Sequence, residues 1–204
     1  MCYKVMHEPK FFVILPKMFK KIGDMNKGMF LALALVMIVV TASAQDNNAD
    51  KYAAVELPHK VDNLTLKDAK GKSVTLPMWG EKNLLIFYVD PDRHRQNHDF
   101  VAAMEEQQFA AGDNIYGFGV INLKDTWLPN NVIVSLASKR TEKNGATIIA
   151  DTNRIMAKEW GLGDCNNKFI IMIVSKDGDL VFCRKGEFSE QDQKDFIEIV
   201  QQYR

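Results

Sequence analysis

Asn83-Leu84-Leu85-Ile86-Phe87-Tyr88-Val89-Asp90-Pro91 is the stretch on which the fold turns. An unbroken apolar run from Leu84 to Val89, bounded by polar residues, suits a strand buried on both faces. Asp90-Pro91 then opens a helix, since Asp can cap orphan amides and Pro at the first helical position loses no bond. Phe100, Ala103, Met104 and Gln107 share one face of that helix, and Gly112 is expected to end it.

Downstream, Ile115 to Leu123 reads as a second strand, Pro129 to Lys143 as a helix with Val132, Ile133, Leu136 and Ala137 at helical spacing, and Ala146 to Ala150 as a short strand. Asn153 to Trp160 is a short helix closed by Gly161 and Gly163. Phe169 to Val174 is another buried strand, and Asp177-Gly178 is a two-residue hairpin signal returning through Leu180 to Cys183. Ser189, with Asp192 three residues on, caps a final helix whose buried face is Phe196, Ile197, Val200 and Tyr203. Upstream, Leu64 to Asp68 and Lys72 to Leu76 alternate apolar with polar around Gly71, the pattern of a β-hairpin.

The 204 residues carry 26 Lys+Arg against 26 Asp+Glu. The first 44 hold six Lys and two acids, so the rest carries 20 basic and 24 acidic groups, a formal charge of −4. Such a body lacks the basic footprint of a nucleic-acid binder, and no Gly-rich phosphate loop follows any strand. Residues 28–40 form an uncharged apolar run after Lys27, followed by Thr41-Ala42-Ser43-Ala44. This is the pattern of a signal peptide (residues 1–44) cleaved after Ala44, since the run is short for a bilayer span of about 20 residues. An uncleaved anchor is the alternative. No Cys follows the run, so a lipoprotein signal is not expected. Met25-Asn26-Lys27 makes a compact start, so translation is expected to begin at Met25, and Cys2 and His7 are set aside. Residues 45–54 read as a flexible tether, and 55–204 as one domain that no longer touches the membrane after cleavage.

The element order is that of an α/β domain. A parallel βαβ unit followed by an antiparallel hairpin and a closing helix resembles the thioredoxin fold, with a central mixed sheet flanked by helices and an N-terminal β-hairpin extension. The segments Gly117–Leu123, Thr141–Thr152, Trp160-Gly161-Leu162, Val174–Gly178 and Lys185-Gly186-Glu187-Phe188-Ser189 resemble the YtfJ-like periplasmic proteins over roughly residues 55–203. The resemblance implies a fold and a compartment, and supplies no activity.

Thioredoxin chemistry needs a nucleophilic thiolate at the start of the helix after the first core strand. Here that stretch is Asp90-Pro91-Asp92-Arg93-His94-Arg95-Gln96, with no Cys, Ser or Thr. The family's cis-Pro position before the third core strand falls on Asn166, where a cis bond costs about 3 kcal/mol, so a trans bond is expected. Cys165 and Cys183 remain. A turn at Asp177-Gly178 sets Cys183 opposite Met172, and an extended chain then leaves Cys165 more than roughly 20 Å away, too far to bridge. Cys165 is a candidate lone redox thiol without a visible partner. Packed, unpaired cysteines are the plainer reading.

His94 and His98, four apart on the expected helix, are candidate metal ligands, with Asp90 or Glu105 able to add a carboxylate. Arg93 and Arg95 oppose a cation there and could instead form an anion site. Trp79 and Trp160 read as core or core-edge aromatics, Trp127 as an exposed partner contact, and His59 as loop surface. The reading that follows is an exported thioredoxin-fold module without dithiol chemistry and without a cofactor. It would bind an envelope protein or peptide through Asp90, Asp92, Arg93, His94, His98, Trp127, Asp164, Cys165 and Asn166. A one-Cys enzyme using Cys165 and a metal protein using His94 and His98 are the alternatives.

Overall fold

The computed structural model describes residues 55–68, 70–126, 129, 131–133, 135, 137 and 147–204. Eight strands form one mixed sheet: β1 His59–Lys60, β2 Thr65–Asp68, β3 Ser73–Thr75, β4 Asn83–Val89, β5 Ile115–Asn122, β6 Ile148–Asp151, β7 Phe169–Val174 and β8 Asp179–Lys185, in the order β1-β8-β7-β4-β5-β6-β2-β3. The pairs β4/β5 and β5/β6 are parallel, and the other pairs are antiparallel. Among the described residues the helices α1 His98–Gln107, α2 Ile155–Glu159 and α3 Glu190–Tyr203 accompany the sheet. Residues 131–133 are also helical.

The central strands are apolar on both faces because both faces are covered. Leu84, Ile86 and Tyr88 of β4 join Ile170, Met172 and Val174 of β7 in one cluster with Met156, Trp160 and Leu162. Leu85 and Phe87 join Ile171 and Ile173 on the other face with Phe100, Val101 and Met104 of α1 and Phe196 and Val200 of α3. This two-sided burial explains why β4 and β7 read as unbroken apolar runs while β2 alternates.

Several boundaries differ from the sequence expectation. Asp90 caps a single 3-10 turn, Pro91–Arg93, and α1 begins only at His98, after Asn97 at φ 59°. A residue in the left-handed region cannot continue a right-handed helix, and Asn tolerates that region better than most. Gln108 at φ 52° ends α1, ahead of Gly112. Gln107 is exposed, and Val101 takes the buried place instead. In α3 Ile197 is 39% exposed, whereas Phe196 and Val200 are fully buried. His59 lies in a strand, and its ring bonds the carbonyls of Glu56 and Trp160. Of the helix expected at 129–143, Ile133 and Ala137 are buried, Val132 is exposed, and Leu136 lies outside the described residues.

Gly112 has a different use. A Cβ built on it would lie 2.7 Å from the carbonyl carbon of Arg204. Arg204 follows α3, and the carbonyl oxygens of Tyr203 and Arg204 accept from Asn83 and Asn114. Gly112→Ala is therefore expected to push the end of α3 off the body and cost roughly 1–3 kcal/mol, read as a lower urea midpoint.

Candidate functional site

The carboxyl ends of β4, β5 and β6 carry Asp90, Asn122 and Asp151, the three buried polar or charged residues of the described chain. Parallel strands leave their carboxyl edge as the natural place for a site. Asp90 stands at the end of β4. Its Oδ1 accepts from Asp92 N at 2.9 Å, its Oδ2 accepts from Asn167 N at 2.7 Å, and its own N–H donates to the Lys168 carbonyl at 3.1 Å. One carboxylate thus ties the turn after β4 to the loop before β7. Burial pushes the Asp90 carboxyl above the usual carboxylate range, and the two amides that it accepts from pull the other way.

The sign of this shift gives a prediction. A carboxyl held above its unfolded value contributes stability that is complete below the unfolded pKa and is lost as pH rises through the folded one. Asn at position 90 does not titrate. The urea midpoint of the wild type minus that of Asp90→Asn is therefore expected to shrink between pH 4 and pH 7. A gap that widened over that window would refute the assignment.

His94 and His98 are not stacked by a continuous helix, so the spacing argument for a metal pair fails. His94 closes the 3-10 turn, with Nδ1 2.8 Å from the Pro91 carbonyl, and His98 opens α1 beyond the left-handed Asn97. Among the described residues no group of three or more His, Cys, Asp or Glu side chains converges in a way that could hold a metal ion.

Gln96 and Asn97, which the sequence reading passed over, anchor this segment. Gln96 Oε1 accepts from Phe169 N at 2.9 Å, at the start of β7. Asn97 Nδ2 donates to the Gly186 carbonyl at 2.8 Å and its Oδ1 accepts from Phe188 N at 2.7 Å. With the anchors fixed, Asp92, Arg93, His94 and His98 border a groove of about 590 Å³ between residues 92–100 and Glu187, Phe188 and Gln193. Arg93 and Arg95 are exposed.

The loop before β7 is built by short-range bonds. Asp164 accepts from Asn166 N and pairs with Lys168 Nζ at 2.8 Å. Asn167 sits at φ 54°, and the bond at Asn166 is trans, since the cis peptide among the described residues is Leu57-Pro58. Cys165 does not face the groove. It is 3% exposed, with Sγ 3.5 Å from the Gly163 carbonyl. Burial raises its ionisation to about 12, against the nearby Lys185, and raises that of Cys183 to about 11.

The two cysteines are both buried. Both belong to one buried cluster and neither is bonded to the other. The loop before β7 is not an extended chain: Gly161, Gly163 and Asn167 take positive φ, and the Leu162 carbonyl accepts from Lys185 Nζ at 2.7 Å.

A second polar network was missed entirely. Asp151 Oδ1 accepts from Asn153 N and Ile155 N, and Oδ2 from Met156 N and Tyr88 Oη. Asp125 accepts from Asn122 Nδ2 at 2.6 Å and pairs with Arg154, and Thr126 Oγ1 donates to Asp92 at 3.1 Å. An Asp ending an apolar strand four residues before a helix was the available signal. Trp127 lies outside the described residues. Trp160 is buried, donates to the Asp62 carbonyl at 2.9 Å and packs at 6.2 Å on Trp79, which is half-buried.

Comparison with solved structures shows the fold. A candidate protein disulfide isomerase from Bacteroides thetaiotaomicron aligns with a TM-score of 0.53 at 13% identity, covering 73% of this chain and 90% of the other. A candidate thioredoxin from Neisseria meningitidis aligns with a TM-score of 0.50 at 14% identity, covering 70% and 89%. A hypothetical protein of Sinorhizobium meliloti gives 0.50 at 16% identity, covering 74% and 85%. No curated protein matches the chain. The family model described as "Bacterial protein of unknown function (YtfJ_HI0045)" matches residues 91–203, more than half of the sequence. The anchored turn, the loop before β7 and the closing helix all lie within that match, and the chain belongs to this YtfJ family of thioredoxin-like bacterial proteins.

Proposed function

We propose that this protein is exported and acts in the periplasm as a binding or accessory module, without dithiol catalysis. The observation that carries the reading is Asp90: where a thioredoxin would place an attacking thiolate, this chain has a buried carboxylate whose two oxygens each accept a backbone amide. The burial of Cys165 and Cys183, with both ionisations raised, supports it, because the thiolate is the reactive form. The apolar run at 28–40 and the small residues Ala42 and Ala44 support export. The partner is an envelope protein or peptide, met by the groove beside His94 and His98 together with the loop Asp164–Asn167.

Insulin-disulfide reduction tests the reading. The expected rate with the wild type equals that of the Cys165→Ser, Cys183→Ser double variant. Turnover that disappears in Cys165→Ser would instead establish a one-Cys enzyme. Export is checked by the intact mass of protein recovered from the envelope, expected to begin at Gln45.

A further inference from the structure

Arg93 and Arg95 are exposed on the segment between β4 and α1, and Glu187 is exposed on the link between β8 and α3. All three line the groove, so charges of opposite sign stand on its two sides. Among the described residues none of the three makes a hydrogen bond or an ion pair, whereas Arg154 pairs with Asp125, and Arg184 with Asp192 and Asp195. The acids on the arginine side are otherwise placed. Asp92 accepts from the Thr126 hydroxyl, and Asp99 lies in the first turn of α1, where the helix end favours a negative charge. Phe100 and Phe188, with ring centroids 5.6 Å apart, supply the apolar part of the lining. The main chain around the groove is already bonded within the protein. Asp92 N donates to Asp90, Phe169 N to Gln96 and Phe188 N to Asn97, and the Gly186 carbonyl accepts from Asn97. Strand pairing through these groups is closed to a guest, and the contacts left to it are with side chains.

We infer that the groove selects an extended peptide in which acidic and basic side chains alternate, the acids meeting Arg93 and Arg95 and the bases meeting Glu187. The inference rests on the binding role proposed above and names the chemistry of the guest. Successive side chains of an extended chain point to opposite sides. A guest lying along the groove therefore turns every second side chain toward the two arginines and the others toward Glu187. A guest of one sign meets a like charge on one side, which costs affinity. A guest with the same residues grouped in pairs presents both signs to each side and loses half of its matches.

Two fluorescent peptides of equal length, equal composition and zero net charge serve as probes, one repeating Glu-Lys and the other repeating Glu-Glu-Lys-Lys. Their dissociation constants are measured by anisotropy at low salt on the protein purified from the envelope. The alternating peptide is expected to bind about fivefold tighter, the yield of a few exposed ion pairs. That ratio should fall toward one at about 1 M salt. Glu187→Lys makes both sides positive and should abolish the preference. Adding Arg93→Glu and Arg95→Glu exchanges the signs of the two sides and should restore it, since an alternating guest fits in either phase. These side chains hold no bond in the fold, so the urea midpoints of the variants should match that of the wild type. Equal affinities for the two peptides, no binding of either, or a preference that survives Glu187→Lys alone would overturn the inference. Insulin turnover would instead sink the non-catalytic reading and leave the peptide ratio unchanged.

Discussion

Asp151→Ala is expected to lower the unfolding free energy by about 4 kcal/mol, from leaving buried amides and a buried hydroxyl without an acceptor. Asp151 is fully buried and accepts from Asn153 N, Ile155 N, Met156 N and Tyr88 Oη. Alanine removes every acceptor at once. The amides at the start of α2 lose their cap, and Tyr88 keeps a hydroxyl in the core with nothing to receive its proton. The melting temperature should fall by roughly 10 °C for a domain of this size. Asp151→Asn retains one acceptor oxygen and should lose about half as much. A drop below about 1 kcal/mol for the alanine variant would mean that water reaches these amides, contrary to their burial.

The second large effect is kinetic. On the reduced protein, alkylation of Cys165 at pH 8 should be at least about 1000-fold slower than in the unfolded chain, since thiolate fractions scale with the three pH units separating an ordinary thiol from this one. The two values are 9.0 and about 12. Cys183, at about 11, should be slowed about 100-fold by the same reasoning. Iodoacetamide labelling followed by peptide mass measures both. The linkage has a definite sign. A thiol kept neutral by the fold contributes stability that is complete below pH 9 and is lost as pH rises through 11 to 12. The reduced protein should accordingly lose stability on the alkaline side, and Cys165→Ala should flatten that loss. Labelling at the unfolded rate would restore Cys165 as an accessible nucleophile.

How much of this was legible beforehand depended on whether the signal was local. The two-sided apolar runs gave β4 and β7 because a strand covered on both faces has no polar alternation to hide. The capping box at Ser189 and Asp192 was readable because its partners lie three residues apart. The pairing of Met172 with Cys183 was also deduced, although the hairpin closes differently. Ser175 and Asp179 form the turn, and an irregularity between Ile173 and Val174 restores the register. The groove was legible only as composition. Its geometry depends on Gln96 reaching Phe169 and Asn97 reaching Gly186 and Phe188, bonds spanning 73 to 91 residues. The left-handed Asn97, which divides the expected helix, leaves no mark in helical periodicity. The path of the loop before β7 likewise depends on tertiary bonds such as Lys185 to Leu162.

The bond from Asn167 N to Asp90 also decides how a visitor can be read. An extended polypeptide that docks as an extra strand is held by main-chain amides, and such docking tolerates almost any side chain. Here the Asn167 amide, in the loop before the interior strand β7, is already committed to the protein's own carboxylate. Under the proposed binding role, recognition would fall to the side chains bordering the groove, Arg93, His94, His98 and the rim of Glu187 and Phe188, and so to the sequence of the guest.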